Sequence, residues 1–198
     1  MSLLHEVSGV HRDLMDGRAR LSRAGAVVAG TSPSLPWVVV DAVEREVAPV
    51  SSYLRDRLLG DVSPLTCRSY AFDLLRWFRV LWTVDVGWEQ ATEAEAAAMV
   101  GWLRSARNPQ RQRGQAGGYP PGSVNPKTGK RVLAAGYAPA TIAHSLSVVH
   151  GFYAFHLHFG RGPVLNPVPQ NRARRSALAH RSPIEAPARH RLSATRES

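Results

Sequence analysis

The chain has 198 residues, 44% of them hydrophobic, one cysteine and a formal net charge of +10 at pH 7. This length suits one ordinary domain with tails, and the apolar content is too high for a disordered chain. No apolar run approaches the roughly 20 residues of a membrane-spanning helix, and the N-terminus lacks the continuous apolar centre of a secretion signal. A lone Cys67 excludes an internal disulfide and a multi-cysteine zinc site. We expect a soluble cytoplasmic protein without a membrane partner, a metal or another cofactor.

The positive charge is concentrated in the second half of the chain. Residues 107–136 carry six basic side chains and no acidic one, and residues 137–198 carry eight basic and two acidic ones. Most of the basic residues are arginines, which suit bidentate contact with phosphate. Two uncompensated basic segments beside a core predict binding to a polyanion.

The first third of the chain gives weak signals for secondary structure. Residues 1–34 are rich in Gly, Ser, Ala and Arg without a sustained period, and we predict a flexible N-terminal arm. Residues 37–41 are β-prone and predict either one strand of a hairpin or an extended arm lying over the core. Residues 50–59 predict a short helix with Tyr53, Leu54 and Leu58 on one side.

The first long helix is predicted from about Pro64 to Trp82. Ser63 supplies a hydroxyl cap and Pro64 suits the first helical position. Apolar residues recur at helical spacing and predict a broad core face: Tyr70, Leu74, Trp77, Phe78 and Leu81. The polar side chains project away from that face: Arg68, Ser69, Arg76 and Arg79.

A second helix is predicted to begin at Thr92, where Thr92 and Glu95 form a capping box. It ends before Asn108 and Pro109, and residues 106–137 read as a long basic loop insertion. Within the insertion, the turn residues from Asn125 to Lys130 predict a basic β-hairpin with lysines at its tip.

The last helix is predicted from about Pro139 to Phe159, followed by glycines and a proline that end it. Its core stripe consists of Ile142, Leu146, Val149, Phe152 and Tyr153. Residues 169–198 contain many Arg, Pro, Ala and Ser and little to bury, so we predict a basic linker or disordered tail.

Three segments in this order carry a resemblance to a known family. The first runs from Ser63-Pro64-Leu65-Thr66 through Tyr70, Asp73-Leu74 and Trp77-Phe78. The second is Thr92-Glu93-Ala94-Glu95, leading to Trp102-Leu103. The third is Ala138-Pro139-Ala140-Thr141-Ile142, then Leu146-Ser147, Phe152-Tyr153 and Asn166-Pro167. From Ser63 to Val168 the chain resembles the core-binding, or SAM-like, domain of tyrosine recombinases and phage integrases.

The resemblance implies a mainly α fold, a four-helix SAM-like core-binding bundle over residues 35–168 that clamps one face of double-stranded DNA. The basic β-hairpin insertion at 106–137 and disordered basic tails would complete it. Matched to the family, the DNA contacts lie at the starts of the first and last long helices: Thr66, Arg68, Ser69, Thr141, His144 and Ser145. An exposed histidine without a ligand is an equally good interpretation of His144.

Two further groups of candidate DNA contacts have other origins. Charge and turn geometry, rather than family matching, assign Lys127, Lys130 and Arg131 to DNA. Arg172, Arg174 and Arg175 fall in the segment that resembles the interdomain linker, which runs along DNA in the family.

One departure from the family pattern decides the expected activity. In the family, catalysis needs two arginines, a lysine or histidine, a His-x-x-Arg motif and a nucleophilic tyrosine, all after the core-binding domain. Residues 158–161 match His-x-x-Arg, but they precede Asn166-Pro167, and the last tyrosine is Tyr153. We therefore expect no catalytic residues and no enzymatic activity of its own.

The expected function is DNA binding by the core-binding domain of a truncated integrase, in DNA recombination and integration. One alternative is a DNA-binding subunit whose catalytic domain is a separate polypeptide. Others are a regulatory fragment that competes with full-length integrase, and a decayed remnant. RNA binding also fits the basic composition, but no aromatic-rich RNA motif is visible.

Overall fold

The computed structural model describes residues 9–106 and 136–168, together with Val124, Pro126 and Gly129. This part of the chain is mainly helical, with one small antiparallel hairpin. The elements in chain order are α1 (Gly9–Met15), β1 (Ala26–Ser32), β2 (Leu35–Val40), α2 (Ala48–Leu59), α3 (Pro64–Val84), α4 (Glu93–Ser105) and α5 (Pro139–His158), with a 3₁₀ turn at Trp88–Gln90. Within the described ranges, no helix is both long and apolar enough to cross a membrane.

Helix α3 is the centre of the fold and contacts each of the other helices and both strands named above. Its start follows the prediction: the Ser63 hydroxyl accepts a hydrogen bond from the backbone N–H of Thr66 at 3.2 Å, and Pro64 stands in the first turn. Leu74 and Trp77 on its inner face are fully buried. Four of the five residues of the predicted apolar stripe are therefore in the core, and Tyr70 at its start is half-buried.

Helices α3 and α5 pack side by side and run in the same direction. Asp73 bonds to Ser145 near the start of α5, and Trp77, one turn further along α3, donates from its indole N–H to the Tyr153 hydroxyl at 3.1 Å. The Trp77 and Tyr153 rings meet edge to face. Since contacts advance along both helices together, the two helices begin at the same end of the bundle.

The other predicted helices are confirmed, with bounds shifted by a few residues, whereas the predicted basic hairpin of the insertion lies largely outside the described residues. α2 spans Ala48–Leu59, and α4 begins after Thr92 with both hydrogen bonds of the capping box present. The five predicted core residues of α5 are all buried. The hairpin interpretation of residues 37–41 is also confirmed, because β2 pairs with β1 in antiparallel register from Ala26 opposite Val40.

The prediction of a flexible arm differs from the structure over residues 9–34. Helix α1 lies on α4 with Leu14 fully buried, and its His11 Nε2 is 2.6 Å from Glu95 Oε1. β1 then forms the outer strand of the hairpin. The sequence signal was weak because a seven-residue helix presents only two buried residues, too few to show a period.

The last described residues, which begin at the Asn-Pro dipeptide, pack against α5. The Asn166 side-chain N–H donates to the His150 carbonyl at 3.0 Å, and its amide oxygen accepts from the Val168 backbone N–H at 3.0 Å. Val168 is fully buried. These contacts hold the segment after α5 against the bundle. The predicted tail at 169–198 lies outside the described residues.

Candidate nucleic-acid interface

The sequence-predicted contacts at the starts of α3 and α5 form one surface, which we call the helix-start face. Its members are Thr66, Arg68, Ser69, Thr141 and His144, all exposed except Thr66, which is half-buried. They are brought together because the two helices begin at the same end. The rings of Tyr70 on α3 and His144 on α5 are 6.0 Å apart, so the two halves of the face adjoin.

The two helix starts differ in how their backbone N–H groups are satisfied. Ser63 caps α3, and its hydroxyl also lies 2.9 Å from the Thr66 hydroxyl. At α5 the N-cap residue is Ala138, which provides no side-chain hydrogen bond. No side chain of the described residues caps the first N–H groups of α5, which lie at the positive end of the helix dipole and suit an anionic ligand.

Arg68 is the cation of the helix-start face. Its guanidinium lies 4.8 Å from the centroid of the Trp37 ring and 5.6 Å from that of Phe72. It makes no hydrogen bond or ion pair with the described part of the chain. Stacking on two rings restrains the side chain and leaves its N–H edges open, which suits contact with a phosphate.

Ser145, predicted to contact DNA, is not on this surface. It is fully buried, and its hydroxyl donates to Asp73 Oδ1 at 2.6 Å. Arg76 Nη1 donates to the same carboxylate oxygen at 2.6 Å and to the Ser145 hydroxyl at 3.2 Å. The prediction was wrong because one residue along a helix is a rotation of about 100°, which turns Ser145 inward while His144 stays exposed.

Asp73 places a negative charge directly behind the helix-start face. It is almost fully buried, and its second oxygen lies 3.5 Å from His144 Nε2. Arg76 offsets the Asp73 charge. A phosphate bound at the face would therefore not be repelled by an unpaired carboxylate. If His144 is protonated, it also pairs with Asp73.

A second basic surface, which no sequence motif indicated, lies between residues 17–25, α3 and α4. It is a groove of about 820 Å³, and its lining within the described part of the chain contains no acidic residue. Its charged lining consists of Arg20, Arg23, Arg76 and Arg79, and its aromatic lining of Phe72, Trp102 and Tyr137. We call it the arginine–aromatic groove.

One wall of the groove is the segment 17–25, here called the strap, which crosses α3. Arg79 holds it by donating to the backbone carbonyls of Ala24 and Gly25 at 2.8 Å each and of Arg23 at 3.2 Å. Partial burial, and then the charge of the neighbouring Arg76, lowers the pKa of the Arg79 guanidinium. Arg79 is thus a structural clamp, although the sequence pattern placed it on a solvent-facing side.

The strap is anchored at both ends by glycines with positive φ. Gly17 has φ +70°, and a Cβ there would lie 2.3 Å from the Ser105 side chain; Gly25 has φ +75°, and a Cβ there would lie 2.5 Å from the Val40 carbonyl. Only glycine combines this conformation with such close approach. Arg20 and Arg23, between the anchors, are exposed.

The opposite wall is aromatic. The Trp102 and Tyr137 rings lie 6.3 Å apart at an angle of 36°, and the Arg76 guanidinium is 5.1 Å from the Tyr137 centroid. The Tyr137 backbone N–H donates to the Leu103 carbonyl at 3.1 Å, which fixes Tyr137 beside the end of α4. Both rings are half-buried, so each keeps part of its surface open.

The remaining sequence-predicted contacts cannot be placed on either surface. Lys127, Lys130, Arg131, Arg172, Arg174 and Arg175 lie outside the described residues. The His158–Arg161 string marks the end of α5, where the Arg161 guanidinium lies over the Phe155 and Phe159 rings. Among the described residues, no group of three or more His, Cys, Asp or Glu side chains could hold a metal ion.

Comparison of the chain with protein-family models, with curated proteins and with solved structures found no match. The function of the chain must therefore be inferred from the residues and geometry described above.

Proposed function

We propose that this chain is a DNA-binding domain of the SAM-like core-binding type found in integrases. The observation that carries the proposal is the common direction of α3 and α5. The two helices that the resemblance assigns to DNA begin at the same end, where Arg68, Ser69 and Thr141 are exposed.

Each component of the helix-start face suits a phosphate backbone. The α5 start has backbone N–H groups without a capping side chain, and Arg68 offers a restrained guanidinium. Hydroxyls from Ser69 and Thr141 add neutral donors of the kind that positions proteins on phosphates. We expect such contacts to fix orientation on the duplex and to contribute little sequence preference.

Most of the attraction to DNA should come from the basic segments around the domain. The described residues contain twelve basic and twelve acidic side chains, so the net charge of +10 is carried by the remaining residues. Lys127, Lys130 and Arg131 belong to those residues. A neutral domain with basic extensions would bind the duplex in a strongly salt-dependent way.

The test is the affinity for a fluorescent duplex, measured by anisotropy across a salt series. We expect log affinity to fall linearly with log salt. The Lys127→Ala/Lys130→Ala/Arg131→Ala variant should have a shallower slope, by about 0.9 for each phosphate that it no longer neutralises. Arg68→Ala should also weaken binding, through the helix-start face.

The matched control is Arg12→Ala/Arg45→Ala/Arg55→Ala, which removes the same charge from residues outside both surfaces. The fall of its log affinity with log salt should be steeper than that of the Lys127/Lys130/Arg131 variant. Absence of duplex binding at low salt by a folded chain would contradict the proposed function.

A further inference from the structure

We propose that the arginine–aromatic groove binds a single-stranded segment of nucleic acid, with phosphates on Arg20 and Arg23 and an unpaired base against Tyr137 and Trp102. The groove adjoins the helix-start face at Phe72, but none of its four arginines belongs to that face. Single-strand binding in the groove does not require that face to bind a duplex.

The groove is a local excess of positive charge in a domain whose described residues are balanced only when the groove is included. Four arginines line it and no acidic residue does, whereas basic and acidic side chains are equal in number over the described residues. Two of the four guanidiniums are occupied, Arg76 by Asp73 and Arg79 by the carbonyls of the strap. Arg79, bound to neutral carbonyls, still contributes to the positive potential, whereas Asp73 offsets the charge of Arg76.

Arg20 and Arg23 are the groups open to a ligand. Their side chains make no hydrogen bond or ion pair with the described part of the chain, and both are exposed. Their backbone is nonetheless held, because Arg79 binds the Arg23 carbonyl and the Thr83 hydroxyl accepts from the Ser22 backbone N–H at 3.2 Å. Two free guanidiniums on an anchored backbone can take phosphates with little ordering of the chain.

The aromatic wall favours an unpaired base over a bare phosphate or a duplex. Trp102 and Tyr137 present ring surface to the groove from two separate segments, which the fold brings together. Bases in a duplex are stacked on one another and offer edges and backbone, not ring faces. A basic groove with stacking side chains is the common design for single-stranded nucleic acid. A volume of about 820 Å³ is within the range of pockets that enclose small ligands.

The proposal is tested by anisotropy with fluorescent oligothymidylate and oligouridylate of about twelve nucleotides, within the site sizes known for such grooves. The full chain is compared with Arg20→Ala/Arg23→Ala. We expect the variant to bind the single strand at least about tenfold more weakly. Its log–log salt slope should be shallower by about 1.4, because two phosphates are no longer neutralised. A preference between the two oligomers identifies DNA or RNA as the ligand.

The matched control is Arg12→Ala/Arg55→Ala, which removes two exposed arginines that do not line the groove. Equal single-strand affinity in the two double variants would overturn the proposal. Arg20 and Arg23 make no side-chain hydrogen bond with the described part of the chain, so the groove variant should keep the melting temperature of the parent.

A second variant tests the base contact. Tyr137→Leu should weaken single-strand binding by between about fivefold and 150-fold, the loss expected for one stacked base. In the parent, the oligomer should also quench tryptophan fluorescence, and Trp102→Phe should remove most of that quenching. Unchanged affinity and unchanged quenching in these variants would overturn base stacking.

The outcome is distinguishable from that of the proposed function. A chain that binds duplex but not the oligomers overturns this inference alone. A chain that binds the oligomers through Arg20 and Arg23 but not the duplex overturns the proposed function alone.

Discussion

At the scale of single residues, Glu95 joins two parts of the fold that are far apart in sequence. One carboxylate oxygen accepts from the Thr92 backbone N–H at 2.6 Å and from its hydroxyl at 2.8 Å, and the other lies 2.6 Å from His11 Nε2. Burial alone would raise the pKa of Glu95, but the hydrogen bonds from Thr92 and His11 outweigh burial and lower it. The same carboxylate thus caps α4 and holds α1.

We predict that Glu95→Gln lowers the free energy of unfolding by about 1–3 kcal/mol at pH 7, because charged hydrogen bonds to a buried group are removed. A carboxylate with a lowered folded pKa contributes stability above its unfolded pKa, and this contribution is lost as pH falls through the folded pKa. The gap between parent and variant should therefore narrow as pH falls below about 4.5, the ordinary pKa of this group.

Urea unfolding at a series of pH values measures both free energies. Glu93→Gln, at the start of the same helix but exposed, is the control for losing one carboxylate. A gap that stayed constant down to pH values below that pKa would contradict the role given to Glu95.

At the scale of elements, the unforeseen feature is the docking of α1 and the strap on the bundle. Helix α1 approaches α4 at Gly101, where a Cβ would lie 2.4 Å from the Met15 Cα. Backbone atoms cannot yield as a flexible side chain can. The close approach of the two helices therefore depends on the missing side chain, and the strap that follows α1 depends on that approach.

We predict that Gly101→Ala destabilises the protein, although alanine favours helix by about 1 kcal/mol over glycine. Overpacking of this kind costs about 1–3 kcal/mol, so the net effect should be a loss of up to about 2 kcal/mol. The control is Gly9→Ala in α1, where a Cβ would meet nothing within 4 Å. Urea unfolding of both variants checks the sign: Gly101→Ala should be less stable than the parent, and Gly9→Ala equal to it or more stable.

At the scale of the whole molecule, the net positive charge and the described domain belong to different parts of the chain. The described residues are balanced in charge, and the net positive charge is carried by the rest of the chain. The domain supplies shaped surfaces, the helix-start face and the arginine–aromatic groove. Under the proposed function, the basic segments would supply the long-range attraction to a polyanion.

We predict that a chain ending at Val168 keeps the melting temperature of the parent but binds the duplex more weakly and with a shallower salt slope. The deletion removes seven basic and two acidic residues, and it leaves the Asn166 contacts that close the bundle. Thermal unfolding and the duplex salt series measure the two effects. Full duplex affinity after the deletion would contradict a role for Arg172, Arg174 and Arg175.

The amino-acid sequence alone predicts the elements whose signals are local. The Ser63 cap, the Thr92–Glu95 capping box and the apolar stripes of α3 and α5 lie within a few turns, so periodicity and capping chemistry reveal them. The rest of the fold and of the candidate site depends on tertiary packing. Arg79 holds carbonyls 54 to 56 residues away, Ser145 turns to an aspartate 72 residues away, and His11 pairs with a carboxylate 84 residues away. Such pairings follow from how helices pack against one another, and no spacing along the chain encodes them.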